Sequence, residues 1–160
     1  MKILVFSDSH HNYQEMFGII RKIPRLDLIV HLGDNVSDAH AIESEFPQIP
    51  LVYVAGNCDW PSPSELNEVV LNLENAKVLI THGHLRNVKS TYNFLLNDAR
   101  QKRCNLVLFG HTHVPLDIFD DEIKLFNPGS ISRPPMGTKA SYGFIEINGG
   151  KIDTNVVFLD

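Results

Sequence analysis

Lys2-Ile3-Leu4-Val5-Phe6-Ser7-Asp8-Ser9-His10 sets the reading of this chain. A short, apolar, partly β-branched run reads as a buried strand, and here it meets Asp8 and His10 almost at once. Working outward, Asn12 is placed to cap a helix over 12–23. Met16, Ile19, Ile20 and Ile23 share one face of it, and Pro24 stops it. A second strand is predicted over 28–32, ending on Gly33-Asp34. A short helix follows over 37–45, closed by Pro47. A third strand over 51–55 ends on Gly56-Asn57. Strand, helix, strand, helix, strand implies a parallel sheet with helices packed on it.

The pattern then changes. Strands are predicted over 68–73 and 77–81, around the tight turn Glu74-Asn75. A helix is predicted over 88–102, with Tyr92, Leu95, Leu96 and Ala99 on one face. A buried strand over 106–109 runs into Gly110-His111-Thr112-His113. Strands over 116–119 and 123–126 flank Asp120-Asp121. Strands over 141–147 and 151–158 flank Asn148-Gly149-Gly150, a hairpin signal. The sequence has no internal repeat, low-complexity tract or linker. The expectation is one α/β domain over residues 1–160, with two mixed sheets face to face and helices outside.

A chain of 160 residues with 43% hydrophobic residues can bury a two-sided core. Fourteen basic against nineteen acidic residues give a charge of -5, so there is no nucleic-acid footprint. Two bound cations would still reverse the local field for an anionic substrate. No run approaches membrane-span length, and the first apolar run is too short for a signal peptide. Cys58 and Cys104 form neither a CxxC nor a disulfide framework, and Cys104 reads as a structural thiol. A cytoplasmic location is expected.

Five polar islands each follow an apolar run: Asp8-Ser9-His10, Gly33-Asp34, Gly56-Asn57-Cys58-Asp59, His82-Gly83-His84 and Gly110-His111-Thr112-His113. Any one of them alone is ordinary turn chemistry. Five in order, each at a strand end, make coincidence untenable. In open α/β sheets the ligand site lies beyond the carboxyl ends of the strands, so the islands are expected to converge. Asp8 with His10, and His111 with His113, are expected to share a direction as i and i+2 of extended segments. Mixed oxygen and nitrogen donors suit Mn, Fe, Ni or Zn. Two such ions can share a hydroxide and clamp a phosphate. The glycines permit sharp turns and close backbone approach.

This ordered set resembles the calcineurin-like metallophosphoesterase family over nearly the whole chain. Gly56-Asn57-Cys58-Asp59, Thr81-His82-Gly83-His84 and Asn127-Pro128-Gly129-Ser130 are similar to its small single-domain phosphodiesterase branch. The resemblance implies a four-layer αββα sandwich. It implies that Asp8, His10, Asp34 and His113 hold one divalent ion. Asp34, Asn57, His82 and His111 hold the other, with Asp34 bridging. The expected pair is Mn2+ or Ni2+, with Fe or Zn as alternatives. The reaction implied is hydrolysis of a small-molecule phosphodiester or nucleotide by a hydroxide shared between the ions.

Many relatives carry a His where Cys58 stands, and the small branch shares the Cys. Protonation of a poor leaving group is therefore assigned to Cys58 or His84, and phosphate contacts to His11 and Arg133. Asp59 is read as orienting a ligand loop, and His31 and His40 as structural. The retromer phosphatase-like subunit shares the fold and acts as a scaffold, which supplies an alternative reading. A phosphomonoesterase is another. A homo-oligomer is left open, and no membrane partner is expected.

Overall fold

The computed structural model describes residues 1–160. The first half contributes β1 (Lys2–Phe6), α1 (Tyr13–Lys22), β2 (Leu28–His31), α2 (Val36–Glu45) and β3 (Leu51–Tyr53). The second half contributes β4 (Glu68–Leu73), β5 (Ala76–Thr81), α3 (Asn93–Lys102), β6 (Leu106–Leu108), β7 (Leu116–Asp120), β8 (Ile123–Asn127), β9 (Ser141–Asn148) and β10 (Lys151–Phe158). They form two five-stranded sheets, ordered β10-β9-β1-β2-β3 and β4-β5-β6-β8-β7.

Both sheets are mixed. In the first, β1, β2 and β3 run parallel, while β9 pairs antiparallel with β1 and with β10. In the second, β5, β6 and β8 run parallel between antiparallel edges β4 and β7. The strand period of two explains how one run serves two cores. Ile3 and Val5 of β1 face the other sheet, joining Val78, Ile80, Leu106, Leu108 and Phe126. Leu4 and Phe6 face outward onto Met16, Ile19 and Ile20 of α1 and Ile42 of α2. On the far side, Leu79 and Val107 meet Leu95, Leu96 and Ala99 of α3. Each fully buried side chain of this kind contributes roughly 1.5–3 kcal/mol. The result is the helix–sheet–sheet–helix sandwich expected.

Two local expectations need correction. The helix predicted from residue 88 begins only at Asn93. The N–H groups of Ser90 and Thr91 both turn back to the Asn87 carbonyl, and Thr91 Oγ1 accepts from the Asn93 N–H. Such hydroxyl-to-backbone bonds compete with helix. Asn12 does occupy the cap position of α1, yet its side chain makes no capping bond. No helix is long and apolar enough to cross a membrane.

Candidate metal centre

The five islands leave the carboxyl ends of β1, β2, β3, β5 and β6, which all face one edge of the sandwich. There the donor atoms of Asp8, His10, Asp34 and His113 lie within 4.8 Å of one another, as do those of Asp34, His82 and His111. Asp34 belongs to both groups. His113 Nε2 is 3.1 Å from Asp8 Oδ1, His82 Nε2 is 3.4 Å from Asp34 Oδ1, and His10 Nε2 is 3.9 Å from Asp34 Oδ2.

The reason they meet is not the one the spacing suggests. Asp8 and His10 are not extended, and neither are His111 and His113. All four have left-handed backbones, with φ of 53°, 42°, 66° and 59°. Asp34 at 56° and Asn35 at 117° do the same. Non-glycine residues hold such angles only where surrounding structure imposes them. Here the constraint is a web of bonds between loops. The Asp8 N–H donates to the Gly33 carbonyl at 3.1 Å, and the His10 N–H to the Asp34 carbonyl at 3.3 Å. The hydroxyls of Ser130 and Ser132 donate to the Asp8 carbonyl at 2.8 and 3.1 Å. Close approach also demands glycine. A Cβ on Gly110 would stand 1.9 Å from Ser7 Oγ, and one on Gly56 would stand 2.2 Å from Asp34 Oδ1.

Asp8 and His82 are each held by their far side and left open on their near side. Asp8 Oδ2 accepts from Ser7 Oγ at 2.5 Å and the His111 N–H at 3.1 Å, while buried Oδ1 has no hydrogen-bond partner. His82 Nδ1 donates to the Leu32 carbonyl at 2.7 Å, leaving buried Nε2 unpartnered. His113 Nδ1 donates to the Arg133 carbonyl at 2.6 Å, and His10 Nε2 is again unpartnered. Unpaired buried polar atoms are costly, and an imidazole tied through one nitrogen presents the other as a lone pair. These residues fit divalent cations.

The electrostatics agree. Burial alone would raise the Asp8 carboxyl, but the facing His113, the charge of His82 and the Ser7 hydroxyl outweigh it and hold it below the usual range. Asp8 raises His113 against burial. Burial lowers His10 and pushes His111 down to about 4, which keeps these rings neutral at neutral pH.

The remaining site candidates lie around this centre. Asn57 is exposed beside Gly56, and its amide donates to Cys58 Sγ at 3.4 Å. The Cys58 N–H donates to Asp34 Oδ1 at 2.9 Å, and burial and the Asp34 carboxylate push its thiol up to about 11. The His84 ring lies 5.3 Å from that of His82, and its Nδ1 is buried without a partner. His11 is exposed and tied to Asn35 through Nδ1 at 2.7 Å, outside both donor groups. Arg133 is exposed, and its charge helps to lower His10.

Asp59 accepts from four backbone N–H groups, those of Asp34, Asn35, Val36 and Gly56. It therefore fastens the second and third islands together and caps α2. His31 bridges the first two, through Ser9 Oγ at 2.9 Å and the Gly33 N–H at 3.3 Å. Asp38 was not foreseen. It is buried in α2 and accepts from the His11 N–H at 2.8 Å, with only its place one turn into a helix as a hint. Ser130 and Ser132 carried no sequence signal beyond the turn around them.

A family model described as the calcineurin-like phosphoesterase superfamily domain matches residues 1–150. The chain belongs to this superfamily. Among relatives of this calcineurin-like phosphoesterase is the Bacillus subtilis protein named Probable metallophosphoesterase YsnB. It is 30% identical over 150 residues, covering 92% of this chain and 85% of that one. The Escherichia coli K12 protein named Phosphodiesterase YfcE is 34% identical over 107 residues, 60% of this chain and 52% of that one. A crystal structure of a conserved uncharacterized Streptococcus pneumoniae protein superposes with a TM-score of 0.83 at 27% identity, covering 98% of this chain and 88% of that one.

Proposed function

We propose that this chain is a dinuclear metal-dependent phosphodiesterase. The observation that carries the reading is the pair of donor groups sharing Asp34, with buried donor atoms left unpartnered. In this reading Asp8, His10, Asp34 and His113 hold one ion, and Asp34, Asn57, His82 and His111 hold the other. Two divalent ions so held supply an activated water and neutralise phosphate charge. The chain's own residues hold and orient. The Leu32 and Arg133 carbonyls fix the tautomers of His82 and His113, and Asp59 holds the Asp34 loop. Arg133 and His11 meet phosphate oxygens from the rim. His84 or Cys58 stands beside the leaving oxygen. Diester preference is favoured because Cys58 replaces the residue best suited to protonating an alkoxide and balancing a monoester's extra charge. The name of the YfcE relative supports the same preference. Mn or Ni is the proposed pair, since histidine-rich sets favour borderline ions.

The test is turnover of bis(p-nitrophenyl) phosphate against p-nitrophenyl phosphate, before and after chelation. The expected outcome is a diester activity lost with the metal, and restored better by Mn or Ni than by Mg. Turnover persisting in protein shown by elemental analysis to be metal-free would overturn the reading. Two bound ions without turnover of any ester would instead favour a scaffold.

A further inference from the structure

A cleft of about 660 Å³ opens alongside the second donor group, and Asn57 and His84 belong to its wall. Small-ligand sites run roughly 300–1,000 Å³. Trp60 lines the cleft and is 91% exposed, and Leu85 lines it at 58%. Pro61 and Pro63 add rigid apolar surface. An indole this exposed covers no core. It presents an aromatic face to solvent immediately beside a centre built for phosphate.

The charges of the cleft narrow its occupant. Its charged lining consists of Asp59 and Glu65, with no Lys or Arg. The Asp59 oxygens are engaged by backbone N–H groups, while Glu65 Oε2 is buried without a hydrogen-bond partner. A second phosphate or a carboxylate entering here would meet negative charge and no cation. A neutral flat group meets instead an aromatic face and the side-chain amides of Asn57 and Asn67.

We infer that the cleft takes the nucleobase of a nucleoside phosphate ester, stacked on Trp60, with the ester phosphate on the metal centre. This rests on the phosphodiesterase reading and names its substrate class. A mononucleotide ester suits the surface better than a strand, because the chain carries a charge of -5 and the cleft offers no basic groove for further phosphates.

Trp60 is the sole tryptophan, so its fluorescence reports the cleft directly. The experiment titrates Mn-loaded protein with adenosine 5′-monophosphate and, separately, with ribose 5-phosphate, which lacks the base. Calorimetry measures both affinities. The expected result is quenching by the nucleotide alone, with the nucleotide bound about 10-fold or more tighter, the scale of base stacking on an aromatic side chain. Trp60→Phe should keep the preference and Trp60→Ser should remove it. Equal affinities, absent quenching, or a preference retained in Trp60→Ser would each overturn the inference. Turnover of methyl p-nitrophenyl phosphate separates the two levels. A working centre with a wrong cleft gives turnover and equal affinities. A failed centre gives no turnover, and Trp60 quenching still decides the cleft.

Discussion

Asp34 is the one side chain common to both donor groups. Replacing it by Asn keeps the shape and removes the charge proposed to serve both ions. Asp34→Asn should bind no more than one ion and lose on the order of 100-fold or more in turnover, beyond the loss in Asn57→Ala. Metal stoichiometry by elemental analysis, alongside kcat/KM, checks this. Two ions and a near-normal rate in Asp34→Asn would remove its assignment as the bridge. Cys58→His should narrow the gap between diester and monoester turnover, since general acid catalysis is worth ~10²–10⁴-fold. An unchanged ratio in a fully metallated variant would mean that Cys58 does not face the leaving group. The clustering of the Asp and His residues was legible because they recur directly after apolar runs. Their backbone was not. The left-handed angles at Asp8 and His10 arise from bonds to Gly33, Asp34, Ser130 and Ser132, and no local pattern announces a contact 122 residues away.

Elements were legible where both faces of a strand are buried, as in β1, β2, β5 and β6. The start of α3 was not, because Ser90 and Thr91 draw the backbone into a turn that the apolar spacing cannot register. The start of α2 gives a direct test. Asn35 sits at its cap position without a side-chain cap bond, while Asp59 accepts from Asn35, Val36 and the loops beside them. Asp59→Ala should therefore lower the stability of chelated protein by about 2 kcal/mol, and Asn35→Ala by well under half of that. Urea denaturation decides it, and equal losses would reassign the cap. Gly110→Ala should be worse than an ordinary loop substitution, because its methyl must displace Ser7 and crowd Asp8. A fully metallated Gly110→Ala variant of normal stability would contradict that geometry.

At the scale of the whole molecule, stability and site are coupled through buried histidine. Burial pushes His31 down to about 4 from 6.5. The unfolded chain then binds the extra proton first. His31's contribution, on the order of 3 kcal/mol, is fully present above pH 6.5 and lost as pH falls toward 4. Chelated protein should lose urea resistance across that window. An imidazole resonance of His31 that titrates above pH 5.5 would refute this. The same architecture dictates when the centre can exist during synthesis. β1 lies between β2 and β9, and its Lys2 pairs with Glu146. The Asp8 loop likewise waits for Ser130 and Ser132. A nascent chain therefore carries its first island through nearly the whole of translation with half of the support missing. Closing so long a loop is slow compared with local helix formation. On the dinuclear reading, metal capture is thus a late event on the ribosome, and chains stalled before residue 141 should bind no pair of metal ions however complete their set of donors.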